Sequence, residues 1–137
     1  MNWAIELTGS GLNRPSTFTY EQLVQMDMTR LDDVTMLQTH GPDKKVTCAG
    51  PPLGDLLAAA EIKPGEMTVA LEAADGYKKH CPLEDLRAAI IALQDEKGRW
   101  LAEVDRDCPL QLTPPHMPGD FWIKNLQRIT VEPAGDS

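Results

Sequence analysis

The residues able to do chemistry in this chain are few: Cys48, Cys81 and Cys108, His40, His80 and His116, and two clusters that join aromatic and polar side chains. No pair of these cysteines and histidines has the i, i+2 or i, i+4 spacing that brings metal donors together on one element. His80 and Cys81 are adjacent, so on a strand they point to opposite faces. The spacing therefore predicts no intrinsic zinc site. The chain also lacks a G-x-S-x-G elbow, and no cysteine lies among basic residues that would stabilise its thiolate. Cys48, between Thr47 and Ala49, reads as a small buried hydrophobe, as do Cys81 and Cys108. The carboxylate pairs Asp32-Asp33 and Glu84-Asp85 read as solvated charge. Gly9-Ser10-Gly11 lacks the third glycine and the long helix of a phosphate-cradling loop.

Two clusters remain. In Asp75-Gly76-Tyr77 a tight turn presents a tyrosine. The second is the proline-rich loop around His116, which runs into Phe121-Trp122-Ile123-Lys124. On an extended strand Trp122 and Lys124 share one side, an arrangement suited to a planar ring with an anionic tail. Plain core packing is the competing reading of Trp122.

The elements that must hold these residues are short. Trp3 to Thr8 alternates as a half-buried strand. Ser16 to Leu23 reads as a helix entry, with Thr19 and Gln22 spaced as a capping box and an end near Met26. Val34–Gln38 and Val46–Ala49 are β-like, and Leu53–Ala60 is a helix with its leucines on one face. Met67–Ala73 alternates as a strand, Asp75-Gly76 turns it, and Tyr77–Cys81 returns as a hairpin. Pro82–Arg87 is a helical turn and Ala88–Leu93 a buried strand, with Trp100–Ala102 able to pair back. Leu110–Thr113 and Ile123–Val131 complete the strands. Short strands and three short helices without a βαβ rhythm make the fold class α+β, in one domain over residues 1–137.

Composition agrees with a globular domain and narrows its partners. The chain has 137 residues, 42% of them hydrophobic, and a net charge of −8. That charge repels a phosphate backbone, and the longest basic runs are the pairs Lys44-Lys45 and Lys78-Lys79, so no nucleic acid partner is expected. No apolar stretch approaches a bilayer span, so no membrane partner is expected either. The start of the chain lacks a basic and apolar export pattern, and an odd number of cysteines suits reduced thiols; a cytoplasmic location follows as the expectation, or a periplasmic one if a leader has been removed.

Taken in order, "VTMLQ", "AGPPLGDLLAAAEIKPGEMTVALEAADGY", "PLEDL", "CPLQLTPP" and "FWIKNLQRITV" resemble the molybdopterin-binding domain of sulfite-oxidase-like oxidoreductases, in a small stand-alone form. The resemblance runs through nearly the whole chain and is strongest from Val34 to Val131. It implies the sulfite oxidase fold, with mixed twisted sheets around a cofactor cleft. It also implies roles by position. Lys124 matches the lysine that helps hold the cofactor's phosphate. Thr39 falls where the family places the cysteine that ligates molybdenum, and no Asn-Arg pair follows it. Gln111 replaces an arginine, Cys108 a glycine and Asn125 a tryptophan. In a second register "TCAG" imitates the family's C-x-G and makes Cys48 a candidate metal ligand, although Gly50 to Leu53 then leaves no room for the intervening loop.

The resulting expectation is a binding domain without catalysis, holding pterin or a molybdopterin-like ligand through Thr39, His40, Tyr77, Trp122 and Lys124. A hydroxyl is a poor substitute for thiolate on a soft, high-valent metal. The first alternative is a molybdopterin-dependent oxidoreductase with Cys48 as metal ligand. The second is a protein-interaction module whose cleft is vestigial. The partner is accordingly a small-molecule ligand or a protein.

Overall fold

The computed structural model describes residues 3–38 and 41–134. Its main sheet is built from β1 (Ala4–Thr8), β2 (Ser16–Thr19), β5 (Met67–Ala73), β6 (Lys78–Pro82) and β9 (Leu126–Pro133). Their order is β2-β1-β9-β5-β6, with β1 and β9 parallel and every other pair antiparallel. Two antiparallel ribbons complete the strands: β3 (Thr29–Met36) with β4 (Lys44–Gly50), and β7 (Ile90–Ala92) with β8 (Gln111–Thr113). The mixture of sheets and short helices is the α+β class read from the sequence.

β5 shows why the sheet forms. Met67, Val69, Leu71 and Ala73 alternate inward while Thr68 is exposed, the period-2 pattern of a strand with one buried face. Leu71 meets Ile129 of β9 in register, and Val69 meets Val131. Against this face pack Leu53, Leu56 and Leu57 of α2 (Leu53–Ala59) and Leu23 of α1 (Tyr20–Gln25). A second, smaller cluster forms where Cys48 of β4 meets Ile90 and Ala92 of β7. That contact requires glycine at position 50, because a Cβ there would collide with the Ile91 carbonyl.

Local signals fix most boundaries. The Thr19 hydroxyl accepts the Gln22 amide at 3.2 Å and the Gln22 side chain accepts the Thr19 amide at 2.8 Å, so the predicted capping box is present. The helix does not begin at Ser16, however. Residues 16–19 form β2, with Ser16 and Phe18 turned toward the protein and Thr17 and Thr19 toward solvent, a two-residue period that the short window hid. Trp100 bridges Gln94 as expected, but Leu101–Val104 then forms a short helix, α3.

The last strand begins at Leu126 rather than Ile123. Asn125 has φ 57°, a left-handed conformation that ends extended backbone on its N-terminal side. Trp122 and Lys124 therefore do not lie on one strand face, and their placement rests on the loop that precedes β9.

Candidate functional site

The turn between β5 and β6 is built by its own side chains. The Asp75 carboxylate accepts the Tyr77 amide at 3.0 Å, the Gly76 amide donates to the Ala73 carbonyl at 3.0 Å, and Gly76 has φ 92°. The Ala74 amide donates to the Asn125 carbonyl at 3.0 Å, which docks this hairpin on the segment leading into β9. Tyr77 then reaches across, and its hydroxyl donates to the Asp120 carbonyl at 3.0 Å. The Asp120 carboxylate pairs with Lys79 at 3.5 Å, and Lys79 lies 5.4 Å from the centre of the Phe121 ring.

The opposing wall is the proline-rich loop. Its backbone is laced to the end of β3: the amides of His116 and Gly119 donate to the carbonyls of Thr35 and Leu37, and the Leu37 amide donates to Met117. A 3-10 turn, Gly119–Phe121, follows and delivers Trp122. The Trp122 indole N–H donates to the Met117 carbonyl at 3.2 Å, and the Trp122 carbonyl accepts the Gln111 side chain at 3.1 Å. Gln111, at the family's arginine position, thus supports the wall from behind.

Between these walls lies an open cleft of about 250 Å³, lined among others by Asp75, Tyr77, Asp120, Trp122 and Lys124. The structure brings Tyr77, Trp122 and Lys124 together as expected, but gives them different roles. Trp122 is 6% exposed and belongs mainly to the protein interior, so the packing reading of this residue holds. Tyr77, 42% exposed, is the aromatic surface offered to solvent. Lys124 is exposed and has no carboxylate partner among the described residues. Thr39 and His40 lie outside the described residues. Asp120 was missed in the sequence; its adjacency to Phe121-Trp122 was the only signal, and a lone surface carboxylate carries little.

None of the three thiols lines the cleft. Cys48 is buried at 5% exposure beside Ile90 and Ala92, and burial pushes its thiol up from the ordinary range, partly offset by a hydrogen bond with Thr113 and by Arg30. Cys81 is buried in the main core and its thiol is pushed up to about 11 by burial, with Asp85 adding to the shift. Cys108 is only half-buried, a departure from the reading of all three as core residues. Its sulfur lies 3.7 Å from the Leu110 carbonyl, and burial raises its thiol although Lys124 opposes the shift.

Among the described residues, no group of three or more histidines, cysteines or acidic residues is placed to hold a metal ion. Asn125 donates to the Asp107 carbonyl at 2.5 Å, while its Oδ1 is buried without a partner among the described residues. For the molybdopterin cofactor that the family implies, the donor set divides. Lys124 and Tyr77 suit an anion and a ring at the cleft. No described thiolate stands at the cleft to ligate the metal.

The chain is similar to the sulfane dehydrogenase SoxCD from Paracoccus pantotrophus, with a TM-score of 0.76 at 23% identity. The match covers 95% of this chain and 38% of that one, so the chain spans well under half of its structural neighbour. The fold is the sulfite oxidase fold. No curated protein sequence matches the chain. The family model for the oxidoreductase molybdopterin binding domain matches residues 1–136, and the chain belongs to that family.

Proposed function

We propose that this domain binds a planar pterin-type ring in the cleft between the β5–β6 hairpin and the Trp122 loop, without supplying a protein thiolate to molybdenum. The observation that carries this reading is the convergence on one cleft of an exposed aromatic ring, Tyr77, and a cation without a carboxylate partner among the described residues, Lys124, while no described thiol lines that cleft. Tyr77 offers the stacking surface, held in place by its hydroxyl bond to Asp120. Lys124 meets an anionic tail. Asp75 and Asp120 line the same cleft and suit hydrogen-bond donors on a ring edge.

Magnitudes limit the affinity. Stacking on one aromatic is worth ~1–3 kcal/mol. A charge-assisted hydrogen bond from lysine adds ~1.5–3 kcal/mol. Their sum of at most about 6 kcal/mol corresponds to dissociation constants in the tens of micromolar, before the cost of ordering the ligand. Calorimetric titration with 6-carboxypterin checks this directly. The expected result is saturable binding, weakened about tenfold in Lys124→Gln. Absence of binding below millimolar concentration, or a Lys124→Gln variant that binds as tightly as the parent, would move the protein-interaction reading into first place.

The oxidoreductase reading with Cys48 as metal ligand asks that a sulfur packed against Ile90 and Ala92 leave the smaller core.

A further inference from the structure

At the other end of the same strands lies a larger cavity, of about 660 Å³. The cleft described above takes Ala73 from the end of β5 and Tyr77 from just before β6. The cavity instead takes Met67 and Thr68 from the start of β5, Pro82 from the end of β6, and Ala134 after β9. Seven residues of β5 at ~3.3 Å each separate the two by roughly 20 Å.

The cavity has the make-up of a ligand site, with an apolar floor and a few polar groups at its mouth. Leu57 from α2, Met67 from β5, and Leu83 and Leu86 from the 3-10 turn Leu83–Leu86 form the floor. Gly54 forms part of the wall. It is the second residue of α2. Its φ is not positive, and a Cβ built on it meets nothing within 4 Å. Neither backbone conformation nor close packing within this chain calls for glycine there. A side chain at this position would project into the open space that Gly54 lines.

The charge at the mouth selects among apolar molecules. Glu66, Glu84 and Arg87 line it. Arg87 pairs with Glu84 at 3.8 Å. Glu66 has no ion-pair partner among the described residues, and the surrounding chain carries a net charge of −8. The unbalanced carboxylate favours a cation.

We propose that this cavity is a second binding site, for a small apolar molecule that carries one ammonium or amidinium group, with its hydrocarbon on Leu57, Met67 and Leu86 and its cation at Glu66. The proposal stands apart from the pterin reading, since it uses none of the same residues.

The test uses hexylamine, hexan-1-ol and hexanoate as probes, with the methyl resonance of Met67 as the local readout. Hexylamine is expected to shift that resonance saturably, and hexanoate to leave it unmoved at the same concentrations. Hexan-1-ol is expected to bind about threefold to fivefold more weakly than the amine, the size of one exposed charge contact. Gly54→Leu should fill the space and abolish the shift for every probe while the melting temperature holds or rises. Glu66→Gln should remove the preference for amine over alcohol and leave alcohol binding as it was. The proposal is overturned by a Met67 methyl that does not respond to hexylamine, by hexanoate binding as well as the amine, or by a folded Gly54→Leu variant that still binds. Addition of 6-carboxypterin should leave Met67 unmoved, which separates failure at this site from failure at the cleft.

Discussion

Cys48, Cys81 and Cys108 differ in depth, and that difference sets their chemistry. Two are buried and one half-buried, and burial raises all three thiols above their ordinary range. In titration with a thiol reagent on the native protein, Cys108 is expected to react first, with Cys48 and Cys81 protected until unfolding. Rapid native labelling of Cys48 would place it in an open cleft and revive it as a metal ligand. Cys81 also makes stability depend on alkaline pH. Its thiol keeps its proton to about 11 in the folded chain, whereas the unfolded chain releases it near the ordinary value of 9.0. The unfolded state therefore binds fewer protons in that window, and stability falls as pH rises from 9 toward 11. Cys81→Ala should flatten that part of the profile, as read by urea midpoints across pH. At this scale the sequence revealed residue types well and exposure poorly. Asp75-Gly76-Tyr77 carried a turn signal that the structure realises, but the spacing of Trp122 and Lys124 implied a shared strand face that the left-handed Asn125 removes. Asparagine favours that conformation, but the preference alone does not fix it at a given position.

Among the elements, those with a complete local signal were legible. β5 spans Met67–Ala73, the run marked out by alternation alone, and α1 carries the capping box written in Thr19 and Gln22. Thr19→Ala removes the hydroxyl half of that pair and should cost about 1 kcal/mol, measurable as a shift in urea midpoint with unchanged slope. Elements set by distant partners were less legible. β2 takes its conformation from pairing with β1, so Ser16 to Thr19 looked like the start of the helix that follows them. β3 extends back to Thr29 because it follows β4 across a bulge at Asp33, whose φ is 51°. Gly50 shows the same dependence on a remote element, since only the approach of the Ile91 backbone explains it. Gly50→Ala is expected to destabilise by more than the 0.5–1 kcal/mol (about) by which helix glycines differ from alanine, and in the opposite direction. Separation of the β7–β8 ribbon from β4, seen as faster amide exchange at Ile91 and Leu93, would accompany the loss.

For the whole molecule, order and spacing of weak motifs exposed the family before any one residue did. The fold and the family follow from the chain as a unit, whereas the chemistry depends on what stands at the cleft. No described thiol lines that cleft, and Thr39, which by resemblance matches the family's ligating cysteine, lies outside the described residues. The most direct test is elemental analysis of the full chain produced in a host that makes molybdopterin, together with fluorescence detection of released pterin. The account predicts molybdenum well below one atom per chain, whether or not pterin is retained. Molybdenum near one atom per chain, lost in Cys48→Ser, would contradict it and make the domain a metal-bearing oxidoreductase.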